Sequence, residues 1–208
     1  MNRQIILRSY LEKDSEALTA VIREAWKYDE FSSPRTAEKL AKIFLYSCLS
    51  NQTFTQVAEA DGIPVGIIMV KNIKTHKCPL RFRIRQAASI FSLLITKEGR
   101  KTAKVFRDVN GIDKELLAGC GRNYQGEIAF FAVSSAYRGS GIGKMLFEKA
   151  LSYMKSENIR DFYLFTDTSC NYGFYEHQGM KRQCEKEHFF QIGSQKAKMD
   201  FFLYDRHL

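Results

Sequence analysis

A chain of 208 residues that is 45% hydrophobic and 13% aromatic has ample material for a buried core, which excludes a disordered or low-complexity protein. No apolar run approaches the roughly eighteen residues of a membrane span, and the N-terminal apolar stretch is too short for a secretory signal. The expectation is one soluble, cytoplasmic domain over residues 1–208 with a formal net charge of +9, and that excess is local: between Lys71 and Arg122, thirteen Lys/Arg face four acids.

In chain order, Gln4 to Ser9 reads as a first strand. Asp14 or Ser15 can cap a helix that runs to about Trp26, with Leu18, Val21 and Ile22 on one face. After a loop over Lys27 to Ser33, Ser33-Pro34 opens a second helix with Ala37, Leu40, Ala41, Phe44 and Cys48 as its apolar stripe. Thr55 to Ala60 and Pro64 to Lys71 are two strands, and Asp61-Gly62 between them is a hairpin turn. The basic segment follows. Leu80 to Thr96 and Arg100 to Leu117 can each be helical, broken around Lys97 to Gly99, although Arg81, Arg83 and Arg85 alternate with Phe82 and Ile84 as a strand would. Glu127 to Val133 is the next strand. A glycine-rich loop and a helix with Ile142, Leu146, Ala150 and Met154 at four-residue spacing come after it. Asp161 to Thr166, a short helix over about Cys170 to His177 ended by Gly179, and an antiparallel pair Arg182 to Gln191 and Lys196 to Tyr204 complete the chain. The fold class is α/β: a mixed, mostly antiparallel twisted sheet of about seven strands with helices on its faces, carrying a basic helical insertion at about 72–122 between strands 3 and 4.

Five cysteines at 48, 78, 120, 170 and 184 form no CxxC pair, which points to buried or free thiols rather than disulfides or a zinc site. The four histidines lack ligand spacing, so no metal is expected.

The loop Arg138-Gly139-Ser140-Gly141-Ile142-Gly143-Lys144 suits an anion. Glycines let backbone N–H groups approach closely, and the following helix presents unpaired donors and the positive end of its dipole. A Walker A loop fails here twice: Arg138 stands where its first glycine belongs, and Met145 follows the lysine. A Rossmann fingerprint fails at Lys144, and the loop follows the fourth strand rather than the first.

What remains is Arg138-x-x-Gly141-x-Gly143, which resembles the pyrophosphate loop of the GNAT superfamily of acyl-CoA-dependent N-acetyltransferases. Asn171 and Phe174-Tyr175 with Gly179 resemble its second motif, and Val57 to Gly62 leading into Gly66 resembles the hairpin that precedes them. The resemblance covers about Thr55 to Lys71 and Gly126 to Met180. It implies acetyl-CoA as the donor and a primary amine, on a small molecule or a peptide, as the acceptor, attacked directly in a ternary complex. It further implies that the strand ending at Val133 splays from its neighbour, so that Phe131, Ala132 and Val133 hold the pantetheine arm while Arg138 to Lys144, with Asn171 and Phe174, hold the rest of the cofactor.

An ammonium of pKa about 10.4 costs about 4.6 kcal/mol to neutralise at pH 7, so a general base is required. Glu127, on a strand that resembles the histone acetyltransferase branch, is the candidate. Its competing role is a glutamate on a solvated face. Tyr175 is the candidate general acid for the departing thiolate, against a packing role beside Phe174. Cys170 and His177 read as structural. In the loop Lys27 to Ser33, Asp29, Glu30 and Phe31 are where the family often shapes the acceptor site. The insertion can be an acceptor-site wall, a dimerisation element giving a homodimer, a patch for an anionic partner such as nucleic acid or a membrane surface, or a solvated excursion. The competing class of function is a CoA-binding regulatory or nucleic-acid-associating protein that uses this insertion.

Overall fold

The computed structural model describes residues 4–192 and 195–208, with side chains for all of these except 104–107, 191, 192, 195 and 196. Asp61 and Gly62 both take positive φ, 50° and 83°, as a two-residue hairpin turn demands. They join β2 (Phe54–Ala60) to β3 (Ile63–Asn72), and β1 (Ile5–Arg8) lies antiparallel along β2. On the other side of β3 lies β4 (Gly126–Val133), antiparallel to it and parallel to β5 (Asp161–Asp167). The closing pair β6 (Lys181–Ile192) and β7 (Gln195–His207) adds through β7, giving one seven-stranded sheet in the order β1-β2-β3-β4-β5-β7-β6.

α1 (Ser15–Ala25) and α2 (Pro34–Ser50) cover one face of the sheet, where Leu18, Ile22, Leu40 and Leu45 are fully buried with Ile67, Met69, Phe130 and Ala132. The opposite face receives α5 (Ile142–Ser156), whose predicted stripe Ile142, Leu146, Ala150 and Met154 is buried against Val65, Ile68, Val70 and Ile128. Asp14 stands at the start of α1 but does not cap it. Its carboxylate accepts from the Arg8 guanidinium at 2.6 and 2.8 Å and from the Leu11 N–H at 2.8 Å, which ties β1 to α1 instead.

The insertion is two helices, α3 (Leu80–Leu94) and α4 (Lys97–Gly119). The strand-like alternation at Arg81 to Arg85 is helical because its two apolar residues go to opposite faces: Phe82 is 2% exposed beneath α2, and Ile84 is 60% exposed. Thr96 caps α4 by accepting from the Gly99 N–H at 3.0 Å. Gly99 allows this corner, since a Cβ there would lie 2.0 Å from the Leu93 carbonyl oxygen. Glu98 accepts from the Ser33 N–H, Ser33 Oγ and Thr36 Oγ1 at 2.6–2.7 Å, pinning the start of α4 to the start of α2. Further along α4, Ile112 and Leu116 pack on Tyr163, Phe201 and Leu203, so α4 covers the β5–β7 half of the face that α1 and α2 leave open. The expectation of free thiols holds for Cys48, Cys78 and Cys170 and is corrected for Cys120 and Cys184, which form a disulfide with Cα atoms 6.2 Å apart. They are 64 residues apart, and only the return of α4 onto β6 brings them together.

Candidate active site

β4 organises the site. Paired to β3, it slips register between Met69 and Val70: Val70 faces Ile128, Met69 faces Phe130, and Ala129 is the extra residue of a bulge. Side-chain alternation therefore changes phase at Ala129. Glu127, opposite Lys71, shares the α2 face with Phe130, whereas Ile128, Phe131 and Val133 look toward α5. On its other edge β4 pairs with β5 only at Gly126 and Glu127. From Ile128 to Val133 the two strands diverge, and β4 presents an edge with no strand partner among the described residues.

Two cavities meet in this opening. The loop cavity, of about 340 Å³, is lined by Phe131, Ala132, Val133, Arg138, Gly139, Gly141, Gly143, Lys144, Asn171, Phe174 and Tyr175, together with Trp26 and Cys170. The insertion cavity, of about 470 Å³, lies between α2 and α4 and is lined by Glu127, Asp113, Asp167, Lys71, Lys114 and Tyr163 among its polar groups. Trp26, Phe131, Cys170 and Tyr175 line both.

The loop cavity is built mainly from backbone. Gly139 and Gly141 take φ of 78° and 84°, a region that side chains resist, and nothing lies within 4 Å of a Cβ placed at either. Gly141 caps α5, and Met145 is the first residue whose N–H finds an acceptor there, the Gly141 carbonyl at 3.0 Å. The N–H groups of Gly139, Gly141, Ile142, Gly143 and Lys144 have no acceptor among the described residues, the condition that makes a helix start an anion cradle. Glu24 of α1 steadies the approach to the loop by accepting from Ser134 Oγ and the Ser135 N–H, both at 3.2 Å. Ser140 turns its hydroxyl back to the Tyr137 carbonyl at 2.5 Å, and the Ile142 side chain is buried beneath α5; neither side chain lines the cavity. Lys144 is 69% exposed and 3.9 Å from Glu148.

The insertion cavity is built from side chains. Burial raises the pKa of the Glu127 carboxyl, against the opposing pull of Lys71 (3.8 Å away), the Tyr163 hydroxyl and His76. Asp113, from α4, is pushed up to about 7 by burial and by the neighbouring carboxylates of Glu127 and Asp167. Burial pushes the Tyr175 phenol up as well, so it is a neutral proton donor at physiological pH. Its hydroxyl makes no hydrogen bond among the described residues, and its ring is held by Phe131, Phe174 and Tyr204. Cys170 is likewise pushed up by burial, which keeps it a thiol.

Asp29, Glu30 and Phe31 line neither cavity. Asp29 is engaged by Arg23 at 2.5–2.6 Å, Glu30 by Lys27 at 3.3 Å, and Phe31 sits edge-on to Tyr28. Asp113, Asp167, Lys71 and Trp26 are cavity residues that sequence reasoning missed. A hydrophilic position between Ile112 and Leu116 on α4 was the only available signal for Asp113. The short helix is α6 (Gly173–His177), with Cys170 and Asn171 in the turn before it.

A glycine loop at a helix start, a splayed strand edge and an aromatic wall thus meet in one opening. The acetyltransferase (GNAT) family model matches residues 18–180, and the chain belongs to that family, whose acyl donor is acetyl-CoA. Among solved structures, PH1933 from Pyrococcus horikoshii is similar over 99% of both chains with a TM-score of 0.62 at 16% identity. A ribosomal-protein-alanine N-acetyltransferase from Brucella melitensis matches over 98% of this chain and 99% of its own, with a TM-score of 0.57 at 15% identity. The paia N-acetyltransferase of Thermoplasma acidophilum, solved in complex with coenzyme A, matches over 99% of each chain with a TM-score of 0.50 at 17% identity. No curated protein sequence matches the chain. Among the described residues, no group of three or more His, Cys, Asp or Glu is placed to hold a metal ion, and no helix is long and apolar enough to cross a membrane.

Proposed function

We propose that the protein is an N-acetyltransferase that moves an acetyl group from acetyl-CoA to a primary amine by direct attack within a ternary complex. The observation that carries this is the meeting of the two cavities at Tyr175, Cys170 and Phe131 beside the open edge of β4. The residues present fit the donor: unpaired N–H groups from Gly139 to Lys144 suit a pyrophosphate, and the β4 edge at Phe131 to Val133 suits an amide-bearing arm laid down as an added strand. Phe174 and Asn171 close the same cavity. When bound, acetyl-CoA supplies an acyl group activated as a thioester.

The remaining chemistry belongs to the chain. Glu127 takes the proton from the acceptor ammonium, directly or through water, and freeing the nitrogen lone pair lets the N–C bond form. A raised carboxyl pKa narrows the gap to the ammonium and makes Glu127 a stronger base than an exposed glutamate. As the C–S bond breaks, Tyr175 donates its phenolic proton to the departing sulfur, and the second proton lost by the nitrogen restores the phenol. The carboxylates of Glu127, Asp113 and Asp167 surround the acceptor position and favour a cationic amine, on a small molecule or a peptide. The Asp113 wall comes from the insertion.

The test is an amine panel. Purified protein is incubated with acetyl-CoA and single primary amines, and free CoA thiol is followed. Amine-dependent thiol release is expected. Calorimetric binding of acetyl-CoA without release by any amine, small or peptidic, would replace catalysis by a CoA-binding role.

A further inference from the structure

The proposed reaction uses α4 and leaves α3 unexplained. Leu80, Ile84 and Phe91 fall on one face of α3, and Ile95, its C-cap residue in a helical conformation, extends that face at the same four-residue spacing. They are 70%, 60%, 69% and 64% exposed. Between them lie only exposed alanines, Ala87 and Ala88, so the stripe is continuous along the helix. The opposite face is already spent: Phe82 and Leu93 are buried under α2, and the Lys39 ammonium donates to the Ser92 carbonyl at 2.6 Å. α3 is therefore a preformed helix with two apolar faces, one buried in the core and one bare.

Charge says what covers the bare face. At 100° per residue, Arg81 and Arg83 fall on either side of the stripe. Both are exposed, and neither is ion-paired among the described residues. Lys74 and Lys77 precede them, and residues 72–96 contain no Asp or Glu. A second copy of the same face would bring these cations against one another. Nucleic acid offers phosphates to the arginines but no apolar layer for Phe91 and its neighbours. An anionic bilayer surface offers both, acyl chains below and phosphate headgroups at the rim. We infer that α3 docks the protein on an anionic lipid surface, lying in the headgroup plane with Leu80, Ile84, Phe91 and Ile95 inserted and Arg81 and Arg83 at the rim.

The experiment is co-sedimentation of the full chain with vesicles of phosphatidylcholine alone and of phosphatidylcholine with about one part in three phosphatidylglycerol. Binding to the anionic vesicles alone, weakened by salt, is expected. Ile84→Asp with Phe91→Asp lowers partitioning at least about tenfold. Because both side chains are exposed, the thermal midpoint and the acetyl-transfer rate stay as in the parent. Arg81→Glu with Arg83→Glu weakens binding by about fivefold per cation removed. No sedimentation of the parent, equal binding to both vesicle types, or undiminished binding of the aspartate variant overturns the inference. A parent dimer that the aspartate variant makes monomeric, without vesicle binding, assigns the stripe to a second copy. Retention on duplex DNA that the arginine variant loses and the aspartate variant keeps, again without vesicle binding, assigns the cations to nucleic acid.

Discussion

The loop cavity offers a ligand backbone N–H groups and a strand edge, whereas the insertion cavity offers three carboxylates, two ammonium groups and phenols. One is made by the course of the chain, the other by what the chain carries. Backbone donors fixed by Gly139 and Gly141 cannot be tuned by changing one side chain, which suits a donor with a constant pyrophosphate. Side-chain carboxylates can be exchanged or protonated singly, which suits an acceptor that differs between enzymes of one fold. On the proposed reading, the backbone half serves the part of the reaction a family shares and the side-chain half the part its members vary.

The largest expected effect lies on the side-chain half. Glu127→Gln lowers kcat by about 10²–10⁴ at neutral pH with acetyl-CoA affinity unchanged, measured by steady-state rates and calorimetry. The deficit narrows as pH rises toward the amine pKa, and a constant ratio across pH would remove Glu127 as the base. Next, Tyr175→Phe lowers kcat by about 10–10², because the departing sulfur loses its proton donor while the ring contacts remain. A change in acetyl-CoA affinity with unaltered kcat would return Tyr175 to packing.

On the backbone half, Gly141→Ala raises KM for acetyl-CoA about tenfold, since φ of 84° at the cap is strained for any side chain and the following N–H groups turn away. Lys144→Ala, by contrast, raises it less than about threefold, because that ammonium is exposed and screened. Comparable losses from the two would mean that the cradle is held by charge. The smallest effect is thermodynamic. Asp113 in the folded protein titrates at about 7, well above its unfolded value, so between those values the folded state holds more protons and stability falls as pH rises. Asp113→Asn flattens that decline by on the order of 1–2 kcal/mol, discounted for its partial exposure, in urea midpoints compared at pH 5 and pH 8.

Sequence and structure agree where signals are local. The hairpin at Asp61-Gly62, the α5 stripe and the glycine loop each follow from residues within a few positions of one another, and all seven strands lie within a few residues of their predicted bounds. Agreement fails where distant segments meet. Asp113 enters the cavity because Ile112 and Leu116 pack on Tyr163 and Leu203, contacts that no periodicity encodes. By contrast, Asp29 and Glu30 are engaged by near neighbours in the chain, Arg23 and Lys27, and line neither cavity. The Cys120–Cys184 bridge depends on the same return of α4. The bulge at Ala129 was invisible because a six-residue apolar run, Ile128 to Val133, carries no alternation to interrupt.

That bulge makes β4 a partition read in two frames. Upstream of Ala129 the odd-numbered Glu127 faces the α2 side of the sheet, and downstream the odd-numbered Phe131 and Val133 face the α5 side. Deleting one residue there would put the whole strand in a single frame, and either Glu127 or the Phe131 and Val133 side chains would then face the opposite side of the sheet. β4 is accordingly a segment that tolerates changes of side chain far better than changes of length.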